Sequence, residues 1–127
     1  MQTNQEKTAQ LLADSQFAFI NSQNSEALHL ANEAISLAPK NPDGYKCAGN
    51  AYMSLGDYNK AVENYALAVK YDSNNGNRYY DLGFALATNE KTADAIKNLA
   101  KAEELGCSPE NTVQLYARNY LFRYRKI

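Results

Sequence analysis

From Thr8 onward, small, apolar and polar residues recur in a pattern that reads as short helices joined by tight turns. The pattern is clearest over 42–75. Tyr45, Ala48, Gly49 and Tyr52 stand three or four apart, which places them on one helix face. Leu55-Gly56-Asp57 interrupts the pattern. Glycine ends a helix at little cost, and aspartate is a good N-cap for the next one. Ala61, Tyr65, Ala68 and Val69 then mark the face of a second helix. Gly49, Ala61 and Ala68 are small enough for two helix axes to approach closely, with the tyrosines filling the space beside them. The stretch predicts a helical hairpin whose outer flank is apolar and needs a neighbour.

The same pattern lies on both sides. Moved back by 34 residues, Ala61 falls on Ala27, Ala68 on Ala34 and Ser73 on Pro39. Moved forward by 34, Tyr45 falls on Tyr79, Gly49 on Gly83, Tyr52 on Leu86, Ala61 on Ala95, Tyr65 on Leu99 and Ala68 on Ala102. Three units follow without a gap, 8–41, 42–75 and 76–109. A further shift puts Val113, Tyr116, Ala117 and Tyr120 where another first helix would bury its side chains. Ser108-Pro109-Glu110 supplies a cap, a first-turn proline and an acid, so this last helix is expected over 109–125. Thr3 and Glu6 have capping-box spacing, so the first helix is expected to begin ahead of its repeat. The expectation is one all-α domain over 1–127, built of seven helices. Each hairpin alone would leave an apolar flank in water, and stacking buries it.

A 34-residue helix–turn–helix period without insertions resembles the tetratricopeptide repeat. The middle unit is similar to that family through Tyr45, Ala48-Gly49, Tyr52, Ala61, Tyr65 and Ala68, with Ser73 in place of a proline. The third resembles it through Tyr79, Leu82-Gly83, Leu86, Ala95, Leu99 and Ala102, with Cys107 at the proline position. The first unit diverges in its first helix, at Leu11, Asp14-Ser15 and Ala18, and keeps the pattern in its second. The resemblance implies a right-handed superhelical stack, an α-solenoid, closed by a capping helix. It also implies a protein-binding scaffold whose first helices line a concave groove. Carried over residue by residue, the groove would present Leu12, Gln16, Phe19, Lys46, Asn50, Met53, Tyr80, Phe84 and Arg118. Aromatic and Met anchors suit an adaptable protein surface, and amides can bond both donor and acceptor of a peptide backbone.

The family's best-known ligand mode is a clamp for the C-terminal carboxylate of Hsp70 or Hsp90 tails. Its basic and asparagine side chains correspond here to Leu12, Gln16, Cys47, Asn77 and Asp81. None matches, and Asp81 is negative where the clamp is positive, which argues against that mode. Asp43 and Asp81 hint instead at a ligand carrying Lys or Arg, although Asp43 also reads as an acid near a helix start.

Composition narrows the function classes. The formal net charge of −1 argues against nucleic acid or an anionic membrane as partner. Arg118, Arg123, Arg125 and Lys126 form a basic cluster, read either as cations at a helix C-terminus or as a patch for an acidic partner. Cys47 and Cys107 have no paired spacing, so no metal, redox motif or cofactor is expected. With no secretory segment visible in MQTNQEKTAQ, a reducing, cytoplasmic setting is expected. The one histidine, His29, falls on an outer face, and no nucleophile has a base at a useful spacing, so no enzyme is expected. The alternative to peptide binding is structural: self-association, or one slice of a longer array. Tyr116, Tyr120, Leu121, Phe122 and Tyr124 are more apolar residues than one buried face of a cap needs.

Overall fold

The computed structural model describes residues 1–125, which form seven α-helices. These are α1 (Asn4–Ile20), α2 (Asn24–Leu37), α3 (Pro42–Leu55), α4 (Tyr58–Tyr71), α5 (Gly76–Thr88), α6 (Thr92–Glu104) and α7 (Thr112–Arg125). Helices α1–α2, α3–α4 and α5–α6 pair as hairpins, and the hairpins stack in chain order. α7 lies against α5 and α6 and closes that end.

Local signals set the boundaries. Thr3 Oγ1 accepts from the Glu6 N–H at 3.1 Å, so α1 starts ahead of the repeat. The Asn41 side chain accepts from the Asp43 N–H at 2.9 Å, beside Pro42 in the first turn of α3. Gly56, at φ 81°, ends α3, and Asp57 caps α4 through the Lys60 N–H at 3.3 Å. The equivalent turns of the outer hairpins place Ser22 (φ 62°) and Glu90 (φ 61°) in the same left-handed region, where a Cβ is strained. α7 begins at Thr112, three residues later than Pro109. Asn111 is the cap, accepting from the Gln114 N–H at 3.0 Å, and the Gln114 side chain accepts in turn from the Glu110 N–H. This reciprocal pair satisfies the Gln114 and Glu110 N–H groups at the helix start.

Close helix approach explains the small residues. Ala27, Ala61 and Ala95, one per hairpin, are fully buried. A Cβ on Gly49 would sit 2.5 Å from the Tyr65 ring, and one on Gly83 would sit 2.5 Å from Leu99. The first hairpin solves the same contact differently. Ser15 stands where the others have glycine, and Ala31 stands where they have Tyr65 and Leu99. The smaller partner leaves room for the serine, whose hydroxyl donates to the Ala27 carbonyl at 2.7 Å.

α7 buries Gln114, Ala117 and Leu121, the last two against Tyr80, Leu99 and Ala102. Leu121 therefore belongs to the chain's own core and is not open to another copy. Tyr120 and Tyr124 are half-buried, their rings 4.3 Å apart, whereas Tyr116 and Phe122 are exposed. Lys126, assigned above to the basic cluster, lies outside the described residues. His29 is exposed and pairs with Glu33 at 2.6 Å. No helix among the described residues is long and apolar enough to cross a membrane.

Candidate functional site

The odd-numbered helices converge on a trough. Phe19 from α1, Asn50, Met53 and Ser54 from α3, Phe84 and Thr88 from α5 and Val113 from α7 line a cavity of about 310 Å³, floored by Tyr58 and Tyr65 of α4. A second cavity of about 310 Å³ shares Phe84 and Thr88 and continues between α5 and α7, along Ala87, Tyr116, Asn119, Tyr120 and Arg123. The Phe84 and Tyr116 rings are 6.4 Å apart across it.

Four of the nine residues expected in the groove, Phe19, Asn50, Met53 and Phe84, meet in the first cavity. Gln16 is exposed and Lys46 half-buried, and neither lines it. Leu12 and Tyr80 are withdrawn, and both expectations are corrected. Leu12 packs with Ala31, Ala34, Cys47 and Ala48, filling space that the small Ala31 leaves. Tyr80 lies under Ala117 and Leu121 of α7 and is 1% exposed. Arg118 lines a separate hollow with Glu103, Cys107 and Pro109, away from Phe84. Tyr58, Thr88, Val113, Tyr116 and Arg123 were not foreseen. Thr88 was findable, since it directly follows the expected stripe on α5.

Asn50 is held in place from below. The fully buried Tyr65 hydroxyl donates to Asn50 Oδ1, so the Asn50 amide nitrogen is left as the donor facing the trough. Burial, followed by the charges of Asp81 and Cys47, pushes the Tyr65 phenol well above its usual range, so it stays a donor at any working pH.

Beneath the helix starts lies a charged network. Arg78, largely buried, donates to Asp43 Oδ1 at 2.7 Å and to Asp72 Oδ2 at 3.0 Å, tying α3, the α4 C-cap and α5 together. Burial pushes the Asp72 carboxyl up, but bonds from Asn75 and Arg78 outweigh it and leave it below the usual range. Asp81 is 2% exposed, and its Oδ2 has no hydrogen-bond partner among the described residues. Burial raises its carboxyl to about 6, against the opposing pull of Lys46 and Arg78. The expectation of a ligand cation at Asp43 and Asp81 is therefore corrected: Asp43 is already paired, and Asp81 is sealed. Cys47 is buried as well, and burial lifts its thiol to about 11. Asn77 accepts from the Cys107 thiol. No group of three or more His, Cys, Asp or Glu side chains among the described residues could hold a metal.

The model of the TPR repeat matches residues 49–90, which run from the middle of α3 through α4 to just past the end of α5. Residues 49–90 are thus similar to the tetratricopeptide repeat. A 51-residue stretch of it is 39% identical to heat shock protein STI1 of Saccharomyces cerevisiae. That match covers 40% of this chain, and the chain spans 9% of the length of the yeast protein. Among solved structures, the Sgt2 TPR domain of Aspergillus fumigatus superposes with a TM-score of 0.82 at 23% identity, over 94% of this chain and 79% of that one. The TPR2B domain of yeast Sti1, in a complex with pHsp70, superposes with a TM-score of 0.83 at 19% identity, over 94% of this chain and 97% of that one. The TPR fold, a right-handed superhelical stack of antiparallel hairpins, is therefore shared well beyond the sequence similarity.

Proposed function

We propose that this TPR chain is a protein-interaction scaffold that receives an extended or helical segment of another protein in the trough between α1, α3, α5 and α7. The observation that carries this reading is the meeting of Phe19, Met53 and Phe84, half-buried apolar side chains from three repeats, around one open cavity beside the oriented amide of Asn50. Partly exposed aromatic and Met side chains in a concavity gain by covering, and an amide donor fixes the register of a peptide carbonyl. Yeast Sti1 TPR2B, solved with pHsp70, supports a peptide-type partner for this fold.

The segment is anchored by apolar side chains rather than by a terminal carboxylate. Of the five clamp positions, Leu12, Cys47 and Asp81 are buried and Asn77 is engaged by Cys107, which leaves Gln16. No cation stands among these five. The test is a displayed peptide library selected on the wild-type chain, followed by binding of the selected peptides to Met53→Ala/Phe84→Ala. Peptides with large apolar residues, bound at least tenfold more weakly by the folded variant, are expected, as for the loss of about 1.4 kcal/mol. Selected peptides that bind both proteins equally would place the interaction elsewhere.

A further inference from the structure

We infer that the partner segment carries an acidic side chain, Asp or Glu, that pairs with Arg123 at the α7 end of the trough, a step that rests on the trough being the binding site.

The two cavities joined at Phe84 and Thr88 make one continuous surface. Among the described residues, Arg123 is the one charged side chain that lines either cavity, and no carboxylate lines them. The chain holds 14 Asp and Glu against 13 Lys and Arg, so a surface with one cation and no acid departs from the rest of the molecule. The other arginines of α7 are placed elsewhere. Arg125 pairs with Glu103 at 2.7 Å, and Arg118 lines the separate hollow beside Glu103 and Cys107. Arg123 is exposed and forms no ion pair among the described residues.

The packing of α7 delivers this side chain to the trough. Ala117 and Leu121 seat the helix on Tyr80 and Leu99. Tyr116, Asn119, Tyr120 and Arg123 stand at i, i+3, i+4 and i+7, share the face beside that seat, and all four line the cavity between α5 and α7. The seven-residue step from Tyr116 to Arg123 rises about 10 Å along the axis. An extended segment covers that distance in about three residues. An apolar side chain set against the Phe84–Tyr116 wall therefore puts a carboxylate about three residues away beside Arg123, with the Asn119 amide as a further donor. Apolar anchors alone let a segment lie in either direction. A single charge at one end of the trough fixes the direction and the register.

The test is a displayed library of random peptides, held between fixed flanks so that no free terminus is offered, selected in parallel on wild type, Arg123→Glu and Arg118→Glu. Both arginines are exposed, and circular dichroism checks that the helices persist. Wild type and Arg118→Glu should select a large apolar residue with Asp or Glu at a fixed spacing of about three residues, and Arg123→Glu should select Lys or Arg there. Synthetic copies of the acidic peptides, with amidated C-termini, should bind Arg123→Glu about two- to tenfold more weakly than wild type at low salt, and added salt should narrow the gap. Changing the peptide's acid to Lys should reverse the order of the two proteins. Apolar peptides that lose affinity on Met53→Ala/Phe84→Ala yet carry no acid at a fixed spacing, or ignore Arg123→Glu, would overturn this pairing and leave the trough as the binding site. An equal loss on Arg118→Glu would overturn it too, by reducing the effect to the overall charge of the chain. So would tighter binding of a peptide cut to end in a free carboxylate at the position of the acid. Peptides that bind Met53→Ala/Phe84→Ala as well as wild type, or a library that yields no binder, would remove the trough reading and the pairing together.

Discussion

Asp81→Asn removes a charge that the fold holds out of water. The wild-type carboxyl is raised from 3.8 to about 6, chiefly by burial. Two units at about 1.36 kcal/mol each amount to roughly 3 kcal/mol, the cost of keeping this group ionised in the folded chain rather than in the unfolded one. The sign follows from proton uptake. Between the unfolded and folded values, about pH 4 to 6, the native state binds more protons, so this group makes stability fall as pH rises and then level off. Asparagine is close to the same size and has no charge to desolvate. The variant should therefore be about 1–3 kcal/mol more stable than wild type at pH 7.5 and close to equal at pH 4. Urea unfolding followed by far-ultraviolet circular dichroism at both pH values measures the difference, and comparing the two proteins at each pH cancels every other titrating group. A gain of the same size at both pH values, or a loss at pH 7.5, would show that burial of the charge is not what Asp81 contributes.

Three other substitutions probe the packing. Gly49→Ala drives a methyl to 2.5 Å from the ring of Tyr65, which is fixed by its bond to Asn50, and should cost about 1–3 kcal/mol in the same unfolding assay. Arg78→Met keeps the aliphatic stem and removes both ion pairs. Because Asp43 and Asp72 keep contact with water, the loss should be about 1–3 kcal/mol, below that of a fully sealed pair. The Asp72 share of that loss is present above the ordinary carboxylate range and disappears as pH falls through its lowered folded value, the reverse of Asp81. Glu90→Gly relieves the left-handed backbone of the α5–α6 turn and should raise stability by about 0.5–1 kcal/mol, read as a higher Tm.

The hairpins were legible because their determinants are local and repeat. A glycine or alanine facing a fixed partner recurs every 34 residues, and Gly56-Asp57 marks a turn by its own chemistry. The start of α7 was harder to read, because Ser108 and Asn111 are both good caps. The choice falls to Asn111 through the side chain of Gln114, which bonds the Glu110 N–H while it is buried against the stack. That decision lies in tertiary packing, and no window of the sequence around Ser108 contains it.

The trough was half legible, for a reason visible in three equivalent residues. Leu12, Lys46 and Tyr80 occupy the same place in successive repeats, yet the first is drawn into the core beside Ala31 and the third is roofed by α7, leaving only Lys46 half-open. A repeat-wide rule assumes identical neighbours, and a stack of three hairpins has two ends that break the assumption. Phe19, Met53 and Phe84 escape the problem because they sit one or two turns further along their helices, where the first cavity lies and, at Phe84, meets the second between α5 and α7. The same roof that hides Tyr80 therefore extends the trough: by seating Ala117 and Leu121 over Tyr80, α7 brings Tyr116 within reach of Phe84. Loosening α7 should expose Tyr80 and erase the Phe84–Tyr116 wall together, so the stability of the cap and the shape of the trough are one property.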